Sequence, residues 1–290
     1  DAMRGEYRVY HRDFRDGRDI KTCTSQDFVN WTEPEWVGYS PSRGGELYTN
    51  QIEPYYRAPH IFVGFPTRYV HRYRSDAIED LPELEDRRKR ANVSLRYGSA
   101  LTDGMFMSSR DGQTFNLWPE SFIRPGSRSQ DNWTYGDNFT SWGLVTTESK
   151  LRGAPDEISI YASEAGHQVG CSRLRRFTNR IDGFVSVNAS FNGGELLTKP
   201  LVFGGSQLVL NFSSGAAGSI LVEIQGDSGN VIEGFGMSDC HEIWGDDLTR
   251  TVKWGEDTNI SSLAGNPVRL RILLKDADLY SMQFTSTSVS

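Results

Sequence analysis

Thr24-Ser25-Gln26-Asp27-Phe28-Val29-Asn30-Trp31 and Ser108-Ser109-Arg110-Asp111-Gly112-Gln113-Thr114-Phe115 share one pattern, Ser-x-Asp-[Phe/Gly]-x-x-[Trp/Phe]. Each follows a strand-like run, Ile20 to Thr22 in the first case and Met105 to Met107 in the second. Ser and Asp side chains at this spacing can accept hydrogen bonds from the amides of a tight turn. The aromatic residue then tucks under the turn. A strand-turn-aromatic unit that recurs after tens of residues points to radial repetition of sheets, so to a β-propeller. Asp27 and Asp111 are read as turn formers rather than catalysts.

Outward from these turns, the two ends of the chain differ. Residues 1–170 hold 24 of the 34 aromatics, including 11 of the 12 tyrosines. They read as short strands, such as Tyr7 to Tyr10, between turns rich in Arg and Asp. Residues 171–290 read as smoother alternating strands. Leu208, Leu210 and Phe212 share one face, and so do Leu270, Ile272 and Leu274, with Arg269, Arg271 and Lys275 pointing the other way. Asp227-Ser228-Gly229-Asn230 between Ile220–Ile224 and Val231-Ile232 is a hairpin signal. The fold class expected is all-β: a partial propeller of about three blades over 1–170, then an antiparallel β-sandwich over 171–290. One exception interrupts the strands. Residues 75–91 lead with acids and end with Arg87-Arg88-Lys89-Arg90, which suits a short surface helix that Ser75 caps and Pro82 limits or splits.

Composition removes several classes. The 290 residues carry a net charge of −7, which argues against a general basic field for nucleic acid. No apolar run approaches the roughly 18 residues of a membrane-spanning helix. Cys23, Cys171 and Cys240 form no CxxC pair, so they read as buried free thiols, with one long-range disulfide as the alternative. There is no G-x-S-x-G elbow and no phosphate-binding loop, and His11, His60, His71, His167 and His241 lack paired metal spacing. No cofactor is expected, with a structural calcium ion on loop carboxylates left open. Of 31 basic residues 25 are Arg, whose forks suit carboxylate or sulfate groups on a ligand.

The turn signature resembles the S-x-D-G-x-x-W turns of five-bladed propeller glycoside hydrolases, families 32, 43 and 117. A propeller followed by a β-sandwich is the layout of family 32. Ala58-Pro59-His60-Ile61 resembles the family 43 segment that carries the general acid, and the run from Tyr48 through Tyr69 resembles bacterial proteins labelled glycosyl hydrolase-like. Arg57 stands where family 43 has its acidic Glu, and no Asn-Asp-Pro-Asn nucleophile segment is present. The resemblance implies a carbohydrate-active protein, a glycoside hydrolase or a non-catalytic binding protein derived from that fold. It also implies a secreted or periplasmic location.

Glycoside hydrolysis needs two carboxyl groups roughly 5–10 Å apart, with aromatic platforms and polar clamps for the sugar. Three clusters could supply them. The loop Arg12 to Asp19 offers Asp13. The segment around two prolines offers Glu53, with Asn50, Arg57, His60 and Arg68 as clamps. The stretch Asp131 to Asn138 offers Asp137, with Trp133 and Tyr135 as platforms. The expected catalytic carboxylates are therefore Asp13, Glu53 and Asp137. A carbohydrate is the expected partner, with no nucleic acid and no membrane. A complete five-bladed ring needs about 20 strands. Residues 1–170 are too few for that, so early blades are expected to be missing and an oligomer could complete the ring.

Overall fold

The computed structural model describes residues 1–130, 132–166, 172–256 and 259–286. Among the described residues the fold is all-β apart from three short helices and one 3-10 turn. It divides into two compact units, Asp1–Val145 with Ile158–Thr178, and Thr146–Glu157 with the chain from Asn179 onward.

In the first unit, β1 (Tyr7–Phe14), β2 (Arg18–Ser25) and β3 (Glu35–Trp36) form an antiparallel sheet in chain order. A seven-stranded sheet follows. It contains β4 (Gly38–Ser40), β5 (Glu46–Leu47), β6 (Glu53–Tyr55), β7 (Ala58–Gly64) and β8 (Thr67–His71). After helices α1 (Asp76–Glu79), α2 (Leu84–Val93) and α3 (Leu95–Ser99), β9 (Ala100–Ser109) and β10 (Thr114–Ile123) complete it. Strand β9 is its spine. Its first half pairs with β8, its second half with β7, and β10 runs along its other side. Neighbours on both edges and both faces explain why β9 is buried almost throughout, as Ala-Leu-Thr-Asp-Gly-Met-Phe-Met reads. The strands were expected to group as four-stranded blades. They group instead in threes and a seven, and β10 joins β4 in parallel, which an up-and-down blade does not do.

Ile20, Val37, Leu47, Ile52, Phe62, Met105, Met107, Phe115 and Leu117 form one core, with Tyr10 and Tyr39 against it. Burying each such side chain is worth about 1.5–3 kcal/mol relative to exposure. The two signature turns lie at the ends of β2 and β9 and have the same construction. Ser25 Oγ accepts from the amides of Asp27 and Phe28, and Asp27 Oδ1 from those of Val29 and Asn30. Ser109 Oγ accepts from Asp111 and Gly112, and Asp111 Oδ1 from Gln113 and Thr114. The fourth position is left-handed in both, at φ 64 for Phe28 and φ 73 for Gly112.

Pro82 splits the helical insertion into α1 and α2. Ser75 caps α1 through its carbonyl, which accepts from Ile78 and Glu79, while its hydroxyl makes no cap bond. The insertion is more than a surface element: Arg87 of α2 is buried. Strands β11 (Val145–Thr147), β12 (Glu157–Glu164) and β13 (Arg173–Arg180) form a third sheet in that order.

The second unit was expected to contain two sheets. Its strands are instead hydrogen-bonded into one: β14 (Val187–Ala189), β15 (Gly194–Leu197), β16 (Gln207–Gly226), β17 (Asp246–Thr251) and β18 (Val268–Thr285). The order is β14-β18-β16-β17, with β15 also on β18. What read as separate strands before and after Gly215-Ala216-Ala217-Gly218 is one strand whose register breaks between Ser214 and Ser219. A Cβ at Gly218 would collide with the Asp276 carbonyl oxygen and lie 2.8 Å from that of Lys275, so glycine is what lets the backbone of β16 approach β18 at the break. Inward residues from both halves of these strands, from Leu208 to Ile224 and from Val268 to Leu279, share a single core. The hairpin at Asp227 to Asn230 forms, with Gly226 and Asn230 joined through their backbones. Cys240 in this unit and half-buried Cys23 in the first are free thiols, and Cys171 lies outside the described residues.

Candidate functional site

A cleft of about 400 Å³ opens in the first unit, lined by Arg18, Tyr48, Tyr69, Arg90, Val93, Arg96, Tyr97, Ala100 and Tyr135. That volume suits a small ligand or part of a longer one. The sheet supplies one side. Tyr48 follows β5 and its amide donates to the Thr67 carbonyl, while Tyr69 lies opposite Glu46 in the β5–β8 pair. Arg18 opens β2. Helix α2 contributes Arg90 and Val93, three residues apart and so on one face, and α3 contributes Arg96 and Tyr97.

Tyr135 comes from a loop that three left-handed residues shape: Trp133, Gly136 and Asn138. Thr102 of β9 pins this loop. Its hydroxyl donates to the Asp137 carbonyl at 2.7 Å and accepts from the Gly136 amide at 3.1 Å. Asn138 Nδ2 reaches the Thr102 carbonyl. Asn132 ties the approach to the loop, bonding the Ser129 amide and the Pro125 and Ser127 carbonyls.

Guanidiniums and phenols interleave in the cleft. The Arg18 guanidinium stands 4.8 Å from the ring centres of both Tyr48 and Tyr69, and that of Arg12 stands 4.5 Å from Tyr48. Arg96 lies 4.9 Å from the Tyr69 ring and donates from Nε to its hydroxyl at 2.8 Å. Tyr135 packs edge-on against Tyr48 and Tyr69, each at 5.8 Å. Each cation–π contact contributes about 0.5–2 kcal/mol. Glu46 is the balancing carboxylate, accepting from Arg18 Nη1 at 2.7 Å. The Tyr135 hydroxyl bonds that of Tyr48, lowering the Tyr48 pKa while Tyr135 is pushed up by burial and by the same bond. Burial opposes the fall at Tyr48, and Arg12 and Arg18 reinforce it.

Behind the lining lies a second polar group. Asp137 is buried, and its Oδ1 accepts from the Gly166 amide at 2.9 Å. Its Oδ2 has no hydrogen-bond partner among the described residues. Burial pushes this carboxyl up to about 6. Arg87 donates to the Pro82 and Asn132 carbonyls, and burial lowers it to about 10. Arg90 donates to the Thr134 hydroxyl.

Of the residues singled out from sequence, Tyr135 lines the cleft. Trp133 bonds the Gly126 carbonyl from its indole, and Asn50 donates to the Tyr10 carbonyl. Arg68 is held by Asp103 on β9 at 2.6 Å and by the Pro119 carbonyl. Arg57 and His60 are exposed at β7. Burial and the charges of Arg110 and Arg4 lower the His60 pKa. The three carboxylates keep separate company. Asp13 pairs with Lys21 at 2.9 Å across β1 and β2, Glu53 is half-buried on β6 with its carboxyl raised by burial, and Asp137 is enclosed by its own loop. None of them lines the cleft. Asp131 and His167 lie outside the described residues. Among the described residues no group of three or more His, Cys, Asp or Glu is placed to hold a metal ion.

The sequence reading passed over Tyr48, Tyr69, Arg18, Arg90, Arg96 and Tyr97. Tyr48 and Tyr69 are the two ends of the segment that carries the family resemblance, and Arg18 sits within the acid-rich loop Arg12 to Asp19. Arg90 belongs to a charge run that reads as a solvated face.

No protein-family model matches the chain, and no curated protein matches it. Solved structures resemble it weakly. An N-acetylgalactosamine deacetylase from F. plautii, in complex with blood group B trisaccharide, shares 11% identity over 63% of this chain and 49% of its own, with a TM-score of 0.39. A glycoside hydrolase family 43 arabinoxylan arabinofuranohydrolase from Bacillus subtilis, in complex with cellotetraose, shares 10% identity over 98% of this chain and 52% of its own (TM-score 0.23). The Bombyx mori GH32 β-fructofuranosidase BmSUC1 shares 8% over 98% and 90% (TM-score 0.28). The chain spans about half the length of the first two. The likeness is one of coarse fold and carries no residue correspondence.

Proposed function

We propose that the chain is a carbohydrate-active protein that binds an acidic saccharide in the cleft of its first unit. The observation that carries this reading is the lining itself, four tyrosines and three arginines with no carboxylate among them. Tyrosine faces are platforms for sugar rings, and guanidinium forks match carboxylate and sulfate groups. A partial propeller whose strands join in threes and a seven rather than in fours, and a sandwich whose strands stay hydrogen-bonded as one sheet, belong to the same proposal. The paired Ser-x-Asp turns support the first, and the single core shared by both halves of β16 and β18 supports the second. So does a secreted or periplasmic location, where such polymers are met.

Calorimetric titration with uronate and sulfated oligosaccharides against neutral ones of equal length tests it. The acidic ligands are expected to bind at least about tenfold more tightly, since a charge-assisted hydrogen bond is worth about 1.5–3 kcal/mol. Arg96→Ala should remove most of that preference. Equal affinity for neutral oligosaccharides would sink the reading.

A second reading is hydrolysis by Asp13, Glu53 and Asp137. One observation favours it: burial raises both Glu53 and Asp137, the latter to about 6, where a carboxyl can act as a general acid near neutral pH. Release of reducing sugar that Asp137→Asn abolishes, in a variant that still folds, would support this reading over simple binding.

A further inference from the structure

We propose that the cleft cleaves its saccharide by β-elimination, with Tyr48 as the base that removes the proton α to a uronate carboxylate. This rests on the acidic-saccharide reading and extends it from binding to chemistry. The geometry comes first. A base for this reaction must stand beside a cationic clamp, because the carboxylate has to be neutralised before its α-carbon gives up a proton. The guanidiniums of Arg12 and Arg18 stand 4.5 Å and 4.8 Å from the Tyr48 ring centre. Arg96 faces the same cleft across Tyr69. Neither a histidine nor a carboxylate lines the cleft, so among its lining side chains a phenol is the group able to take a proton. The environment favours its ionised form. Tyr135 donates a hydrogen bond to the Tyr48 oxygen, Arg12 donates another, and Arg18 adds its charge, which together hold Tyr48 below the ordinary phenol range.

The step balances within the chain and its substrate. Arg18 and Arg96 hold the C6 carboxylate of the uronate. The Tyr48 phenolate takes the proton from C5, and the electron pair left behind becomes the C4=C5 double bond. The C4–O4 bond breaks as it forms. Tyr48, now a neutral phenol, returns the proton to the departing O4, which becomes the anomeric hydroxyl of a new reducing end. Tyr48 finishes as it began. One product carries an unsaturated uronate, and no water, metal ion or oxidant is consumed.

Incubation with polygalacturonate, alginate and hyaluronan tests the proposal, with two readings taken together: ultraviolet absorbance of the conjugated uronate, and new reducing ends. Elimination raises both one for one. Tyr48→Phe should lower turnover by about 10²–10⁴-fold, the usual share of a general base. It keeps the ring on which Arg12 and Arg18 stack, so affinity by titration should stay within a few-fold. Tyr135→Phe removes the donor to Tyr48 and should move the acid limb of the kcat–pH profile to higher pH, an effect that a purely structural role would not produce. Reducing ends without absorbance would overturn elimination in favour of hydrolysis. Saturable binding with neither signal would overturn it and leave the binding proposal standing; absence of binding to all three polymers would also overturn it, and the binding proposal falls with it only if sulfated oligosaccharides fail to bind as well.

Discussion

Among the described residues the first unit buries Asp19, Arg87 and Asp137, together with hydroxyls and amides such as Thr67, Thr102, Asn132 and Asn138. The second buries Asn211 and Glu223. The core of the second unit is otherwise built from apolar side chains, with the Cys240 thiol and the Trp254 indole as its polar atoms. The first unit gives each buried charge its own arrangement. Asp19 accepts from Arg15, Arg43 and Tyr39, so its oxygens are satisfied. Asp137 is less well served, with one oxygen unpartnered. Buried polar groups cost stability unless paired, so a fold concentrates them where chemistry or recognition needs them. The unit that tolerates them is the unit that carries the cleft.

The contrast breaks most plainly in the response to pH. Phe212→Ala in the second unit empties a fully buried site and should cost about 3–5 kcal/mol. That loss is apolar and should be the same at pH 4 and pH 7 in denaturant titrations. Asp137→Asn in the first unit should behave differently. Burial is the main cause of its raised carboxyl, with Glu164 adding to the rise and hydrogen bonds from Gly166 and Thr134 and the charge of Arg87 opposing it. The folded chain therefore keeps a proton that the unfolded chain releases. This stabilisation is present below about pH 4 and fades as pH rises to about 6 and beyond, amounting to at most about 3 kcal/mol. The Asn variant should lose most of the slope, with a smaller remainder from Glu53, whose carboxyl burial also raises. An unchanged slope in the variant would mean that Asp137 is not held protonated, and the two units would then differ less than their burial suggests.

The second unit was also the more legible in sequence. Alternation at Leu208, Leu210 and Phe212 and at Leu270, Ile272 and Leu274 is a local signal, and it gave the faces that the core uses. What it missed was continuity: the register of β16 against β18 breaks between Ser214 and Ser219, and the pairing resumes beyond the break, so the two runs are one strand. In the first unit the turns were legible because Ser25 with Asp27 and Ser109 with Asp111 bond amides within three residues. The cleft was not. Arg18, Tyr48, Tyr69, Arg96 and Tyr135 come from β2, from beyond β5, from β8, from α3 and from a loop, and no periodicity links them. Arg87 was hidden for a related reason. A charge run reads as solvated, and its burial is made tolerable by the carbonyls of Pro82 and Asn132, the latter 45 residues away.

The smallest expected difference lies within the first unit, between its two copies of one turn. Both aspartates accept two backbone amides, but they guard unequal aromatics. Phe115 after Asp111 is fully buried in the core, whereas its counterpart after Asp27, Trp31, is half-buried and packs with Phe28, itself 65% exposed. Burial raises the Asp111 carboxyl, and the amides of Thr114 and Gln113 more than reverse that. Gly112 also has no room to change, since a Cβ there would lie 2.8 Å from the Tyr10 hydroxyl and 2.9 Å from the Phe62 ring. Asp111→Ala should therefore cost about 1–2 kcal/mol, because it frees amides beside a buried ring that the turn holds in place. Asp27→Ala frees amides that water can reach and should cost less. Unfolding midpoints of the two variants, measured side by side, check this ordering. Equal losses would show that the turn itself, and not the aromatic beneath it, sets the stability of each copy.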